Sequence, residues 1–511
     1  MDRTAHVVKN FKFTVAGELM LAVLKFVSRR AFVLLLGKEY LGLNGLFTDI
    51  LSVLALAELG LGVSITYSLY RPAARGDEEL IRSLIRLCRR AYQCVGLAIL
   101  LAGLSLTPFL SFFVKEMPEN IPHIPLIYIL NVVNVSVSYL FSYRAILLFV
   151  YQKKYIESVI RALTGLLFTV AQIGVLFLTG NYLYYLYLAI AATLTQNLAI
   201  SAETDRLCPW LRKKGVRPLP DEMKREIRRN VSAMLLNRVG AVAVFGTDNI
   251  LISKFVGVVT AGLYSNYMMI RGFLNTILNT LFGAITPALG HLNATESVEN
   301  RRRAFRNLNF FGAWLSGWMS ICLLCLFDAF IDLWLGEGYL LPGPVVALIA
   351  ANFYVGSMRL PVANTRSAMG LFWDERYKSV LEALLNLALS IFLGRRWGIQ
   401  GIITGTLIST MALPFWVEPL GLYRYGLKQR AGEYFARYFF HLLVTVAAGA
   451  LTGLLCSLTG DGVAGFLVKG ALCMVIPNGI YGAVYCRSRE FGALLQTAGR
   501  VIARRKWKFL P

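Results

Sequence analysis

The sequence predicts an all-α integral membrane protein with about 14 transmembrane helices, and three observations carry that prediction. Hydrophobic residues make up 56% of the 511 and charged residues only 16%, a balance outside the range of soluble domains. The apolar residues gather into stretches of about 20 or more, the length at which an α-helix crosses the hydrocarbon core. The charges are confined to short bands between those stretches. Basic clusters at Arg71 to Arg90, Lys153 to Arg161, Arg206 to Arg229, Arg301 to Arg306, Arg376 to Lys378, Arg424 to Arg437 and Arg487 to Lys508 alternate with short, weakly charged gaps such as Lys38–Glu39, Lys115–Glu119 and Glu337. Basic residues stay on the cytoplasmic side of membrane helices, so the alternation predicts a chain threaded many times with both ends in the cytoplasm.

Taken in order, the predicted spans lie near 11–36, 43–70, 91–114, 124–151, 157–179, 182–203, 227–254, 260–289, 304–334, 342–370, 375–395, 399–423, 433–457 and 463–486. Arg395–Arg396 is the one basic pair that this threading places outside. The longest hydrophilic connection, 204–226, follows the sixth span and carries Gly215, Pro218 and Pro220, which favour an irregular link. It divides the chain into a six-helix lobe over 1–203, a cytoplasmic linker over 204–226, a second six-helix lobe over 227–424, and two further helices with a basic tail over 425–511. Gly45-Leu46-Phe47 opens span two and Gly262-Leu263-Tyr264 opens span eight, a weak internal repeat of the kind on which transporters are built.

Several function classes fall away. A net charge of +23 would suggest nucleic acid in a soluble protein, but here the basic residues sit at span ends, where topology and anionic lipid account for them. No long loop is present to form an extramembrane catalytic domain, so no enzyme is expected. The eight cysteines show no disulfide or metal spacing. Cys322 and Cys325 form C-x-x-C, but inside the apolar run ICLLCLF, which reads as helix packing. The four histidines are scattered, and no metal is expected. The N-terminal MDRTAHVVKNFKF leads into an apolar run interrupted by Lys25, Arg29 and Arg30, which is unlike a cleaved signal peptide.

Charge at membrane depth is costly and marks a cavity or a partner. Glu18, Lys25 and Arg29 share one face of span one by their spacing, with Arg30 beside them. Span four carries Asn131, Asn134 and Arg144, and span seven carries Asn230, Asn237 and Asp248, with Arg238 adjacent. Span eight has Arg271, Asn275 and Asn279 at four-residue steps. Span ten has Asn352, Arg359 and Arg366 seven apart, with Pro361 expected to kink it. Asp49 and Glu58 in span two lie on opposite faces, so they are no acid–base pair. The cations outnumber the acids at depth. Arginine offers phosphate a planar fork of donors, so Lys25, Arg29, Arg30, Arg144, Arg238, Arg271, Asn275, Arg359 and Arg366 are the candidate ligands of an anionic substrate. Glu18, Glu58 and Asp248 are candidates for coupling or ion pairing. The alternative is a set of internal ion pairs among these bases and Glu18, Glu58, Asp248 and Glu382.

The stretches KEYLGLNGLFTDILSVLALAELGLGVSITYSLYRP (Lys38 to Pro72), TDNILISKFVGVVTAGLYSNYMMI (Thr247 to Ile270) and WLGEGYLLPGPVVALIAANFYVGSMRLPVANTRSAMGLFWDERYKSVLEALLNLALS (Trp334 to Ser390) closely resemble bacterial polysaccharide flippases. That family belongs to the multidrug/oligosaccharidyl-lipid/polysaccharide exporter superfamily. The resemblance implies two six-helix lobes facing each other in a V. It also implies transport of undecaprenyl-pyrophosphate-linked oligosaccharide across the cytoplasmic membrane for capsule or exopolysaccharide, by alternating access around a cationic central cavity. Partners on this reading are the lipid-linked substrate, membrane lipids and enzymes of the same pathway, with no nucleic acid. No cofactor is implied, and the coupling ion, proton or sodium, stays open. The rival readings are a multidrug/cation antiporter of the same superfamily, and a membrane-embedded glycan polymerase or scaffold of the synthesis complex. The sugar composition is not legible.

Overall fold

The computed structural model describes residues 3–55, 61–151, 153–213, 218–225, 227, 231, 247–371 and 378–496. These residues are mostly helical, with no strand among them. Ten helical stretches of the described residues are long and apolar enough to cross a membrane. Two compact units divide the chain, Met1–Ser265 and Asn266–Pro511.

The first unit contains α1 (Arg3–Leu36), α2 (Lys38–Leu54), α3 (Leu61–Arg75), α4 (Glu78–Leu106), α5 (Leu110–Phe113), α6 (Ile124–Ser142), α7 (Ala145–Val150), α8 (Lys154–Thr179), α9 (Tyr182–Leu207), α10 (Asp248–Phe255) and the first turns of α11 (Val258–Thr295). Lipid tails are as apolar as leucine, so membrane helices associate through close packing and hydrogen bonds rather than by escaping water. Ser136 on α6 donates to the Gly96 carbonyl of α4 at 2.8 Å. Thr193 on α9 donates to Asn134 of α6 at 2.7 Å, and Gln172 on α8 reaches the Tyr185 carbonyl of α9 at 3.3 Å. Asn134, a polar residue at depth, is therefore helix–helix glue. α2 and α11 approach at glycine: a Cβ on Gly42 would lie 2.0 Å from the Val258 carbonyl oxygen, and one on Gly262 would lie 2.7 Å from the Gly42 nitrogen.

The connection after α9 has a 3-10 turn over Pro209–Arg212 and, after non-helical residues 218–220, a helical turn over 221–225. It is not a free tether. Trp210, Leu211, Leu219 and Met223 pack into a core with Ile81, Leu84, Leu147 and Tyr143. Arg82 also donates to the Lys213 carbonyl at 3.3 Å.

In the second unit, α11 is followed by α12 (Val298–Leu335), α13 (Gly343–Met358), α14 (Leu360–Met369), α15 (Lys378–Ala412), α16 (Pro414–Gly421), a π-helical turn (Leu422–Leu427), α17 (Gly432–Ser457) and α18 (Gly462–Tyr485). α12 packs against α13, α17 and α18. The expected kink in span ten is an interruption at one residue: α13 ends at Met358, Arg359 forms a turn, and Pro361 sits in the first turn of α14. The predicted spans 375–395 and 399–423 meet at Gly398, whose φ of 56° and ψ of −135° fold α15 back on itself. Ser390 then donates to the Ile402 carbonyl at 3.2 Å, and Asn386 donates to Thr406 at 3.0 Å. Arg395 and Arg396 are exposed beside this bend. The first part of span seven (227–246) is almost entirely outside the described residues.

Two indoles dock the last helices. Trp314 of α12 donates to the Asn478 side chain at 2.7 Å, and Trp318 donates to the Cys473 carbonyl at 3.0 Å. Tyr481 and Tyr485 of α18 meet Thr445 and His441 of α17 at 3.0 and 2.6 Å.

The α2–α11 contact gives a first prediction. Gly42→Ala should lower the thermal midpoint of the detergent-solubilised protein, because backbone must move to admit the methyl group. Gly272→Ala has no atom within 4 Å of its Cβ and should leave the midpoint unchanged or raise it.

Candidate substrate site

The candidate residues fall into two groups once their partners are seen, those answered by an acid and those that are not. Arg144 lies at the short break between α6 and α7, where its Nη1 meets Asp205 of α9 at 2.9 Å. Arg359 occupies the break between α13 and α14. Its Nε and Nη2 grip both oxygens of Glu418 at 3.1 and 2.7 Å, and Nη1 lies 3.4 Å from Glu382. Lys378 also donates to Glu418, and Thr410 donates to Glu382 at 3.4 Å. Glu418 and Glu382 are buried.

These partners come from three interruptions of regular helix. Lys378 opens α15, and Glu418 lies on α16, which starts after a non-helical Leu413 (φ −120°, ψ −72°) and contains Pro419. Each break carries a charge to the same point, and two bases balance two acids. The expectation that Arg359 presents a free fork to phosphate is thus corrected: Glu418 takes the fork. Sequence reading weighed Glu382 as an acid partner but missed Glu418 and Asp205, which lie 59 and 61 residues from the arginines they bind.

Arg366 is nearly buried in the last turn of α14 and donates to the Leu371 carbonyl at 2.9 Å. That bond closes the helix end beyond Gly370 (φ 72°). Asp248, buried at the start of α10, accepts from Tyr264 at 3.1 Å and lies close enough to Asp49 of α2 to repel it. Glu58, Arg238, Asn230 and Asn237, the FWDERY turn over 372–377 and the Glu18 side chain lie outside the described residues.

The other group is cationic, with no acid partner among the described residues. Arg29 of α1 is half-buried beside Tyr182 and Tyr185. Its Nη2 donates to the Ser265 hydroxyl at 3.2 Å, and no carboxylate among the described residues pairs with it. Lys25 and Arg30 are exposed on the same helix, also with no ion pair among the described residues. Arg271 of α11 is half-buried. Its Nη1 touches only the Met268 sulfur, at 3.6 Å, and its Nε is buried with no hydrogen-bond partner among the described residues. Asn275 follows one turn later, half-buried; its backbone carbonyl accepts from Asn279 at 2.8 Å.

Among solved structures, the lipid II flippase MurJ in an inward closed conformation is similar over 92% of this chain and 98% of its own, with a TM-score of 0.64 and 11% identity. A multidrug resistance MATE family transporter of the MOP superfamily, inward-facing, is similar over 80% of this chain and 95% of its own, at a TM-score of 0.58 and 14% identity. The Vibrio cholerae MATE transporter VcmN in its bent form covers 83% of this chain and 98% of its own, at 0.54 and 13%. The fold is that of these transporters. No family model matches the sequence, and no curated protein matches it. At such identities the likeness establishes the fold alone.

Removing one member of a buried ion pair leaves the other uncompensated, at a cost of about 3–5 kcal/mol. Glu418→Ala should therefore strongly lower the thermal midpoint in detergent. Combining it with Arg359→Met and Lys378→Met should restore most of the loss, since Glu382 can be protonated once its bases are gone.

Proposed function

We propose that this protein is a flippase for an undecaprenyl-pyrophosphate-linked oligosaccharide. On this reading it crosses the bacterial cytoplasmic membrane with both termini inside and works by alternating access. Its product would feed the assembly of a capsule, exopolysaccharide or similar surface glycan. The observation that carries the reading is the sorting of the cations. Arg144, Arg359 and Lys378 are answered by Asp205, Glu418 and Glu382. Lys25, Arg29, Arg30 and Arg271 have no acid among the described residues. A guanidinium at membrane depth calls for a polar cavity or an anion, and a pyrophosphate supplies the anion in the geometry that arginine matches best. The shared fold with a structure named for flipping lipid II supports the same reading. The fold is also shared with multidrug transporters, and the bases without an acid among the described residues weigh against a cationic cargo.

The test is Arg271. Losing a hydrogen bond to a charged group costs about 1.5–3 kcal/mol, so Arg271→Ala should reduce export roughly 10- to 100-fold while membrane levels of the protein stay normal. Lipid-linked intermediate should accumulate, and Arg271→Lys should restore only part of the rate. Unchanged export with Arg271→Ala would refute the pyrophosphate reading.

The gating part of the proposal rests on α2 and α11. A Cβ at Gly45 would lie 3.5 Å from the Ser265 Cβ, inside the window of about 3.5–4.5 Å for a disulfide. Gly45→Cys with Ser265→Cys should therefore cross-link on oxidation, halt export, and recover on reduction. Ser265→Cys alone serves as the control. Continued export by the cross-linked protein would show that α2 and α11 need not part during transport.

A further inference from the structure

Half of the cysteines in this chain converge where α12, α17 and α18 meet. The Sγ atoms of Cys325, Cys456 and Cys473 all lie within 4.8 Å of one another. Cys322, one turn from Cys325 on α12, is within hydrogen-bonding reach of Cys473. Cys456 and Cys473 are buried, and Cys322 and Cys325 are half-buried. We propose that these thiols form a binding site for a thiophilic d10 cation, with zinc as the divalent ion that fits best.

The donor set is the first reason. No carboxylate or imidazole belongs to the cluster, and all-sulfur sites select zinc, cadmium or monovalent copper over magnesium, calcium or manganese. Geometry is the second. With Zn–S bonds of about 2.3 Å, ligands of a tetrahedral ion stand roughly 3.8 Å apart, so a sub-ångström closure of three helices brings the sulfurs into place. Cys322 can complete the tetrahedron.

Charge is the third reason. Lys469 lies one turn before Cys473 on α18, largely buried, and interacts electrostatically with Cys456. Three thiolates on one divalent cation leave one negative charge, and Lys469, shared with Asp461, lies near enough to offset part of it. The surroundings are also fixed in advance. Trp318 holds the Cys473 carbonyl, and the Thr445–Tyr481 and His441–Tyr485 bonds hold α17 to α18. An ion has a short way in. Cys456 is the penultimate residue of α17, and Lys469 is also paired at 3.6 Å with Asp461, an almost fully exposed residue in the loop that follows.

A single buried cysteine serves as a small apolar side chain. Four thiols from three helices, beside a buried lysine, make a ligand set. The bound ion would tie α12 to the α17–α18 hairpin and stabilise the unit in proportion to its affinity.

The full-length protein, purified in detergent with a phosphine reductant and stripped with chelator, should take up one equivalent of zinc by elemental analysis and melt at a higher temperature. Cadmium in place of zinc should produce a near-ultraviolet thiolate-to-metal band whose intensity counts at least three Cd–S bonds. Cys456→Ser with Cys473→Ser should abolish uptake, the band and the melting shift. Cys208→Ser, outside the cluster, should change none of them, and Lys469→Met should weaken binding. A reduced wild-type protein that binds no stoichiometric zinc or shows no cadmium–thiolate band would overturn the proposal, and so would undiminished binding by the double variant. The cadmium band of the intact chain decides the matter even where a substituted chain fails to insert.

Discussion

A charge within the hydrocarbon layer must meet an opposite charge or a polar cavity, and the second unit is organised around that requirement. Arg359, Lys378, Glu382 and Glu418 reach one point because the helices that carry them are interrupted there. An uninterrupted α13–α14 would aim the Arg359 side chain differently, and an uninterrupted α15–α16 would do the same for Glu418. Helix ends beyond this cluster are closed by side chains: Arg366 takes the Leu371 carbonyl after α14, and Arg302 takes the Leu427 and Lys428 carbonyls after the π-helical turn. Irregular backbone at membrane depth is tolerated where protein satisfies it.

The same requirement explains why two arginines that look alike in sequence behave differently. Arg359 and Arg271 both sit mid-span on a polar stripe. Arg359 is matched by a carboxylate to which its fork is fitted, whereas Arg271 is left with a methionine sulfur. The first is part of the architecture, and the second keeps a guanidinium with no acid partner among the described residues.

Most of the spans were legible because helix length and the banding of basic residues are local properties. Pro361 announced a disruption at the right place, and the gap between predicted spans 375–395 and 399–423 coincides with the bend at Gly398. The pairings were not legible, because depth and helical phase say which face a residue occupies but not which other helix faces it. Arg144 with Asp205 and Arg359 with Glu418 join helices that are neighbours in space and separated in sequence. The thiol cluster was hidden for the same reason. C-x-x-C in ICLLCLF shows two sulfurs on one helix, and nothing near it points to Cys456 or Cys473. Asn134 illustrates the converse: a polar residue at depth, read as a sign of function, turns out to hold α6 to α9.

The docking of α18 onto α12 has a consequence for how the chain is made. The indole of Trp318 is satisfied by a carbonyl 155 residues further along, and that of Trp314 by a side chain 164 residues further. At about 5–20 residues per second of synthesis, those partners emerge roughly 8 to 30 s later. During that interval α12 sits in the bilayer with two indole donors unanswered and the aromatic face of Phe310, Trp314 and Trp318 uncovered. The second unit is therefore completed from its C-terminal end. Its biogenesis depends on whatever holds α12 in the membrane until the last hairpin arrives, and chains that end early would present that aromatic face to quality control.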